Sequence, residues 1–380
     1  GVDSILTCHN GIAAVEQTKL AKSLGMTILI TDHHEVQEEV PPADAVVNPR
    51  QADCPYPFKH LCGATVAYKV ICCLYEAYGI PKEETEEFLE FAGFATVGDV
   101  MDLIGENRIL VKEGLKRLNH TQNVGMASLI RACGLEEKEI KSYHIGFVLG
   151  PCINAGGRLD TAKRSLNLLL QKDRAKADVM AAELKTLNDE RKDMTQTGAE
   201  EAIEWIEKEG RSQDKVLVVY LPDCHESLAG IIAGRIRERY NKPVFVLTDS
   251  INGVKGSGRS IEAYSMFEEM SKCKELYTKY GGHPMAAGLS LPKENVEKFR
   301  TFLNEHTTLT EEDFIPKITI DVPMPIGYVT EHLIEELSVL EPFGKGNEKP
   351  LFAEKNLNIL SMRILGKNRN TLKMQVRSQH

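Results

Sequence analysis

The most constraining feature of this chain is a long stretch that contains almost no helix breakers. Residues 161–209 include no proline, and Gly198 is their only glycine. Ala, Glu, Lys and Leu dominate the stretch, and these are strong helix formers. A helix much longer than usual is therefore predicted near 174–209. Apolar heptads are not sustained along it, so a connector with solvated charged faces is favoured over a coiled-coil seam.

The residues before this helix alternate between strand-like and helix-like patterns. Residues 4–8 and 26–30 are short apolar runs of strand length, whereas residues 12–23 repeat apolar positions at helical spacing. Such alternation is typical of a parallel α/β sheet. A first α/β domain is therefore predicted at 1–160, followed by the connecting helix at 161–210.

A second alternation follows the helix. Strand-like runs at 216–220 and 243–248 flank a helical pattern at 227–240, which predicts a second α/β domain at 211–306. Short β-like stretches then follow, namely KITIDV, LNILSMRIL and TLKMQV, and they predict the start of a β-rich module at 307–380. The predicted fold class is α/β, with two α/β domains joined by a long helix and followed by a partial β module.

Charge, cysteine content and hydropathy narrow the classes of function. A formal net charge of -9 argues against a protein that binds nucleic acid over its whole surface, so any such binding must be confined to a cleft. The nine cysteines include no C-x-x-C pair, which favours free thiols in a reducing compartment. No apolar run is long enough to cross a bilayer. We therefore expect a cytoplasmic protein without membrane partners.

The strongest local signal for chemistry is Asp32-His33-His34, which directly follows a predicted buried strand. The carboxyl ends of strands line the ligand crevice of an open α/β sheet. Carboxylate and imidazole together are ligands for Mn²⁺, Zn²⁺ or Fe, whereas Mg²⁺ is less suited to imidazole. A helix cap or a turn is the structural alternative for these three residues.

Two further segments strengthen the hypothesis of a metal site. Asp99, in FATVGDVMDL, follows an apolar helix-like stretch and can supply a second carboxylate. His9 and Asn10 end the strand before Asp32, and consecutive parallel strands are often neighbours in a sheet. If these two strands pair, His9 lies beside Asp32.

Six motifs occur in the order and approximate spacing of the RecJ exonucleases, members of the DHH phosphoesterase superfamily: ITDHH, ATVGDVMDL, GPCINAGGRLD, CHESLAGIIAGRI, GSGRS and GGHPMAAGLS. The chain resembles this family over nearly its whole length. The resemblance implies a DHH domain, a long helix, a DHH-associated domain and an oligonucleotide-binding (OB) fold. Residues 337–352 resemble the family's lead into that last fold.

The resemblance also implies a function. It implies 5′-to-3′ hydrolysis of single-stranded DNA by two divalent ions, Mn²⁺ or Mg²⁺, in DNA repair and recombination. A 5′-phosphorylated strand would be the substrate of a monomeric enzyme; a helicase and a single-strand-binding protein are partners that the residues do not select. The implied metal ligands are His9, Asp32, His33 and Asp99. His34 joins Asp32, His33 and Asp99 in the catalytic set, as a residue that orients a ligand or contacts phosphate.

The chain departs from the family pattern in two places. The family has an earlier strand with an Asp-x-Asp motif, which does not occur before Asp32 here, so the chain is expected to be a fragment. The family also has an aspartate at the position of His9, where it resembles a ligand bridging both ions. A neutral imidazole does not readily bridge two cations, so we expect weak metal binding and reduced or lost activity.

The second domain is expected to bind the DNA. In GSGRS, the glycines would let backbone N-H groups approach a terminal 5′ phosphate, beside the side chains of Ser257 and Arg259; a tight turn is the alternative. Arg158, in NAGGRLD, is a second candidate phosphate ligand or part of a helix-capping loop. The remaining candidate substrate-binding residues are His225, Gly281, Gly282 and His283.

Two of these regions are predicted to involve helix ends. GGHPMAAG is interpreted as a turn that opens a small-residue helix, whose N-terminal amides favour an anion near His283; a structural histidine is the alternative. His225 precedes a predicted helix that also carries Arg235, which is either a ligand or a surface cation.

Two other functions remain open at this point. A DHH phosphoesterase acting on short oligoribonucleotides or cyclic dinucleotides shares the DHH and GGH signatures, but typically lacks GPCINAGGRLD, the long connector and the β module. A non-catalytic nucleic-acid-binding relative is favoured by His9 and disfavoured by the intact Asp32, His33 and Asp99.

Overall fold

The first strands of the chain form a parallel sheet, as the alternating pattern predicted. The computed structural model describes residues 1–251, 253–366 and 369–378. Three strands pair side by side in chain order: β1 Ser4–Cys8, β2 Thr27–Thr31 and β3 Ala45–Val47. Ile28 and Ile30 of the central strand are buried in the core on one face of the sheet. Parallel pairing brings the carboxyl ends of β1 and β2 together, with Cys8 opposite Thr31.

Two compact units are present. The first comprises Gly1–Pro151, Lys172–Arg174 and the residues from Thr319 onward; the second comprises Cys152–Gln171 and Ala175–Ile318. The helices of the first unit that precede Pro151 are α1 Val15–Ser23, α2 Gly63–Ala77, α3 Leu89–Gly98, α4 Gly105–Leu118, α5 Val124–Ala132 and α6 Ser142–His144. Gly93 and Gly114 let α3 and α4 approach closely, because a Cβ on Gly93 would lie 3.0 Å from the Cα of Gly114.

The next helices belong largely to the second unit. They are α7 Gly150–Leu159, α8 Lys163–Leu170, α9 Arg174–Lys208, α10 Ala229–Tyr240, α11 Met266–Ser271 and α12 Val296–His306. No helix in the part of the chain that the structure describes has both the length and the apolar character needed to span a membrane.

The long helix predicted from the absence of breakers is α9. One side of it is buried along its length, at Ala177, Ala181, Leu184, Asn188, Thr195, Gly198, Ala199, Ala202 and Ile206. A Cβ on Gly198 would lie 2.7 Å from Cδ1 of Ile232, so α9 and α10 are in direct contact. The helix is therefore a packed element of the second unit rather than the solvated spacer that its charge suggested, because its small residues admit close neighbours.

A five-stranded sheet forms the centre of the second unit, in the order β4-β5-β6-β8-β7. Its strands are β4 Leu217–Tyr220, β5 Val244–Ser250, β6 Gly253–Arg259, β7 Lys279–His283 and β8 Ala286–Leu291. β4 and β5 are parallel, whereas the other pairs are antiparallel. On one face, Phe245 packs edge-on against Phe299 of α12, with ring centroids 5.1 Å apart.

Two motif regions of this sheet fold differently from the prediction. GSGRS is not the tight turn that was its structural alternative, because residues 256–259 lie in β6 and pair with β5 on one side and β8 on the other. Its glycines are required by packing: a Cβ on Gly258 would lie 2.6 Å from Sδ of Met266. The helix predicted after His283 is also wrong. β7 ends at His283 and β8 begins at Ala286, and their close pairing requires the small residues that suggested a helix.

The residues from Thr319 onward form a small module with little buried surface. Its elements are β9 Val322–Pro323, α13 Glu331–Leu337, β10 Phe352–Ala353, β11 Asn358–Leu365 and β12 Thr371–Arg377. β11 and β12, which contain two of the predicted β-like stretches, pair antiparallel. KITIDV is strand only at Val322, and α13 was not predicted. Thr330 starts that helix by accepting a hydrogen bond from the Leu333 N-H (3.1 Å), a local cap that the β-like interpretation overlooked.

One segment of this module packs against the loop that follows α3. The Leu103 N-H donates to the Lys345 carbonyl (2.6 Å), and the Lys345 ammonium lies 2.9 Å from the Asp102 carboxylate. Gly344 is required at this contact, because a Cβ would lie 2.6 Å from Cδ1 of Leu103. The same loop begins at Asp99, so the module supports the region that carries a candidate metal ligand.

Candidate metal centre and phosphate-binding residues

His9 follows β1 at the edge where the parallel strands end. Its N-H donates to the Thr31 carbonyl (2.9 Å), so the pairing of β1 with β2 continues into the site. Its backbone is left-handed, with φ at 66°. Gly63, at the start of α2, lies directly against it, and a Cβ there would be 2.5 Å from the His9 Cβ. The fold therefore reserves space for the His9 imidazole.

Three imidazoles converge at this edge, as the prediction of neighbouring strands required. One ring nitrogen from each of His9, His33 and His34 lies within 4.8 Å of the others. Nε2 of His9 is 3.4 Å from Nε2 of His33. Asp99 follows the end of α3, and its Oδ2 lies 3.4 Å from the same His33 nitrogen. Three of the five predicted metal or catalytic side chains thus converge on one small volume, and a fourth, Asp99, adjoins it at His33.

The fifth, Asp32, is held in a different way. Its side chain is buried and both oxygens already accept hydrogen bonds: Oδ2 from the Ile12 N-H (2.9 Å), and Oδ1 from the N-H groups of His33 (2.7 Å) and His34 (3.2 Å). Oδ1 also lies 2.7 Å from Nδ1 of His34. Burial would raise the pKa of Asp32, but these hydrogen bonds outweigh it and hold the pKa below its ordinary value. Asp32 is thus an ionised anchor for the loop and for the His34 ring.

His33 is the most enclosed of the three histidines. Among the described residues its Nδ1 has no hydrogen-bond partner, so no contact in the structure determines which nitrogen carries the proton. Burial lowers the pKa of His33, the Asp99 carboxylate opposes this effect, and the nearby imidazole of His9 adds to it. A neutral imidazole with an available lone pair is the form that binds a metal ion.

The donor set fits a divalent ion. Nitrogens from His9, His33 and His34 lie within 4.8 Å of one another, and an oxygen of Asp99 adjoins His33. His34 can offer its Nε2 because its Nδ1 is directed at Asp32. Imidazole-rich sets with a carboxylate suit Mn²⁺ or Zn²⁺ better than Mg²⁺.

The second unit brings together several of the predicted phosphate ligands. Arg158, in the last turn of α7, donates to the Ser227 carbonyl (2.8 Å), and Ser227 contacts Nδ1 of His225 through its hydroxyl (2.7 Å). Arg259 donates to the Gly258 carbonyl (2.7 Å) and lies against Gly230 in the first turn of α10. Burial lowers the pKa of Arg259, and the nearby positive charge of Arg158 adds to it.

A pocket of about 430 Å³ adjoins these residues on the open face of the sheet. Ser227, Ser257 and Gly281 line it, together with the ammonium-bearing side chains of Lys255 and Lys279. Gly282 and His283 do not line it, and His283 is exposed at the end of β7. The structure thus groups Ser257 with Gly281 but separates both from His283.

Sequence reasoning missed Arg191 of α9. No local motif marks this residue, and its position becomes informative only through its neighbours Arg158 and Arg235, which lie far from it along the chain.

Family models match three parts of the chain. The model described as the DHH family, N-terminal domain, matches residues 3–98; the DHHA1 domain matches 213–308; and the RecJ OB domain matches 320–380. The single-stranded-DNA-specific exonuclease RecJ of Escherichia coli (strain K12) is 33% identical, over 96% of this chain and 67% of the relative. The chain belongs to the RecJ family. Its three domain types agree with the predicted fold class; the domain boundaries given above stay a prediction.

Other RecJ proteins extend this similarity. RecJ of Bacillus subtilis (strain 168) is 38% identical over the whole of this chain, which spans 48% of that relative. A crystal structure of RecJ from Thermus thermophilus in complex with Mn²⁺ superposes with a TM-score of 0.87 at 30% identity, covering 98% of this chain and 55% of that one. The chain thus spans about half the length of these two RecJ proteins.

Proposed function

We propose that this chain is the core of a metal-dependent exonuclease that hydrolyses single-stranded DNA from a 5′-phosphorylated end. The observation that carries the proposal is the convergence of His9, His33, His34 and the Asp99 carboxylate where two parallel strands end. The RecJ relatives are named single-stranded-DNA-specific exonucleases, and solved RecJ structures are described as complexes with Mn²⁺ and with Mg²⁺. These descriptions support the choice of substrate and cofactor.

His9, His33 and Asp99 would hold the cation, and Mn²⁺ is the ion that their imidazoles favour. When bound, the ion would supply activation of water and neutralisation of charge on the scissile phosphate. Asp32 stays ionised and holds Nδ1 of His34, which leaves Nε2 of that ring to contact the cation or a phosphate oxygen.

Binding of the strand is assigned to the second unit. Arg259 and Ser257 are two residues apart in β6, and both lie near Gly230, so they present a guanidinium and a hydroxyl on the same side of the sheet. A guanidinium suits a terminal phosphate dianion better than an internal diester. We propose that these groups bind the 5′ phosphate, with Arg158 as a further contact. A role in DNA repair and recombination belongs to the same proposal.

His9 is expected to limit this activity. Its neutral ring does not bridge two cations as a carboxylate does, so we expect one weakly held ion and slow cleavage.

The test compares the chain with a His9→Asp variant on 5′-phosphorylated single strands, with Mn²⁺, with Mg²⁺ and with chelator. Expected are Mn²⁺-dependent release of 5′ nucleotides, faster release by His9→Asp, and no release with chelator. Matched duplex DNA and single-stranded RNA provide the substrate controls.

Three outcomes would contradict the proposal. Cleavage that persists with chelator would exclude the metal centre. Faster cleavage of short RNA than of DNA would favour the oligoribonuclease alternative. DNA binding without cleavage by either protein, in any metal, would favour a non-catalytic relative.

A further inference from the structure

Four arginines from four different elements lie near one another in the second unit. They are Arg158 of α7, Arg191 of α9, Arg235 of α10 and Arg259 of β6. Within the residues that the structure describes, none of the four is within ion-pair distance of a carboxylate. Their hydrogen-bond acceptors are neutral oxygens, namely those of Ser227, Asn188, Gln196 and Gly258. Four unneutralised cations are unusual in a chain whose net charge is -9.

Other basic side chains of the same unit are paired with carboxylates. On the same α9 helix, Lys185 and Asp189 form an ion pair, and on α8 Arg164 pairs with Asp160 and with Glu183. Basic side chains nearby are therefore paired where carboxylates are available.

Proximity of like charges costs free energy that a bound anion would remove. Burial lowers the pKa of Arg191, and the positive charges of Arg158 and Arg235 add to this effect. The positive charge of Arg158 likewise adds to the lowering of the Arg259 pKa by burial. The four guanidiniums therefore share one electrostatic environment.

The guanidinium groups of Arg191 and Arg235 are oriented by hydrogen bonds, but some of their N-H donors have no acceptor among the described residues. The Asn188 Oδ1 accepts from Nε (3.1 Å) and Nη2 (2.9 Å) of Arg191, which leaves its Nη1 available. The Gln196 Oε1 accepts from Nη1 of Arg235 (2.5 Å), and the other N-H groups of that guanidinium have no acceptor among the described residues. An oriented guanidinium with free N-H groups matches phosphate oxygens.

We infer that Arg191 and Arg235 form a second phosphate-binding site, which receives an internal phosphodiester of the strand whose 5′ end is bound by Arg259 and Arg158. This inference rests on the proposed function, because it assumes that the ligand is single-stranded DNA. It assigns binding of the strand backbone to Arg235, which lies within the motif CHESLAGIIAGRI, and to Arg191, which lies in none of the listed motifs.

The experiment measures binding of a 5′-phosphorylated oligothymidylate of about 20 nucleotides, long enough to cover such a surface, over a series of salt concentrations. Chelator is present, so that the strand is not cleaved. For a single strand each neutralised phosphate contributes about 0.7 to the slope of log affinity against log salt. Arg191→Gln and Arg235→Gln should each lower the magnitude of the slope by about 0.7, and weaken binding at low salt by about 10-fold.

Two further variants separate this effect from a general loss of charge or of structure. Arg164→Gln removes an arginine of the same unit that is paired with carboxylates, and should leave the slope unchanged. Arg191→Lys keeps the charge and should keep most of the slope, even if the Asn188 contact is lost. Thermal unfolding of each variant shows whether the fold is retained.

The inference is overturned if both glutamine variants bind with the salt slope and affinity of the parent chain. It is also overturned if Arg164→Gln lowers the slope and the affinity as much as they do. It is also overturned if Arg191→Lys behaves like Arg191→Gln. If the parent chain binds the strand and cleaves it with Mn²⁺ while the variants are unaffected, only this inference fails. If the parent chain does not bind single strands, the proposed function fails with it.

Discussion

The candidate metal centre of the first unit and the arginine cluster of the second unit are built in opposite ways. The histidines of the metal centre come from two neighbouring strand ends, and a buried carboxylate, Asp32, joins that loop to the backbone. The arginines of the cluster come from three helices and one strand. The first site is thus part of the local fold, whereas the second depends on packing between distant segments.

This difference predicts how substitutions at each site affect stability and ligand binding. A substitution at the metal centre affects backbone hydrogen bonds and the fold together, because Asp32 serves both. The arginines are held mostly through neutral acceptors and none of them is fully buried, so their replacement should change ligand binding with little effect on stability. The following predictions test that contrast, from the largest effect to the smallest.

The largest effect is expected at Asp99, whose carboxylate lies 3.4 Å from Nε2 of His33. Asp99→Asn should lower Mn²⁺-dependent cleavage by more than about 100-fold, since removal of even an indirect support for a ligand costs roughly 10- to 100-fold. Binding of single strands with chelator should be unchanged. The matched control is Asp53→Asn, the same change at an exposed position of the first unit. Equal losses in both variants would remove Asp99 from the metal centre.

The next effect concerns the 5′ end. Arg259→Ala should lower cleavage of 5′-phosphorylated strands by roughly 10- to 150-fold, which corresponds to a charge-assisted contact of about 1.5 to 3 kcal/mol. Cleavage of strands with a 5′ hydroxyl should fall much less, because these strands lack the terminal phosphate dianion that Arg259 would contact. Both substrates are compared at one salt concentration. Equal losses on the two substrates would mean that Arg259 contacts the backbone or supports the fold, with Arg158 the next candidate for the end pocket.

A smaller effect, on stability, is expected at Asp32. Asp32→Asn keeps the shape but replaces one acceptor oxygen by an amide that faces N-H donors, so the free energy of unfolding should fall by about 3 kcal/mol. Arg158→Gln, at an exposed position, should change it by no more than about 0.5 kcal/mol. Urea denaturation measures both. If Asp32→Asn lowered the free energy of unfolding no more than Arg158→Gln does, the two sites would not differ in their contribution to stability.

The smallest effect concerns the glycines of GSGRS. Gly258→Ala should destabilise the fold by roughly 1 to 3 kcal/mol, because its Cβ would meet Met266 and Phe245 in the core. Gly281→Ala, on another strand of the same sheet, meets no atom within 4 Å and should be nearly neutral in stability. If Gly258→Ala instead weakened phosphate binding without any loss of stability, Gly258 would contribute to the phosphate site rather than to the packing of β6.

Local patterns were sufficient for much of the first unit. The apolar runs at 4–8 and 26–30 predicted parallel strands, and the pairing of β1 with β2 brings His9 beside His33 as expected. These features follow from residues close together in the chain, because strand period and strand order depend on local spacing. The membership of the RecJ family likewise followed from motifs of a few residues each.

The errors have a common cause. Small residues after His283 suggested a helix start, and the glycines of GSGRS left a tight turn open, yet both segments are strands whose small residues fit against Leu289, Met266 and Phe245. Small residues permit many conformations, so their own pattern does not select one. The neighbouring strands make that selection.

Contiguous residues were sufficient to predict membership of the family, the length of α9 and the candidate metal-binding motif Asp32-His33-His34. Three features became visible only in the tertiary structure. Asp32 accepts hydrogen bonds from four protein donors, and one side of α9 is buried. Arg191 and Arg235 lie near Arg158. Electrostatic repulsion and packing act over distances in space rather than along the chain. A cluster assembled from α7, α9, α10 and β6 therefore cannot be recognised in any one segment, although Arg158, Arg235 and Arg259 each lie in a motif.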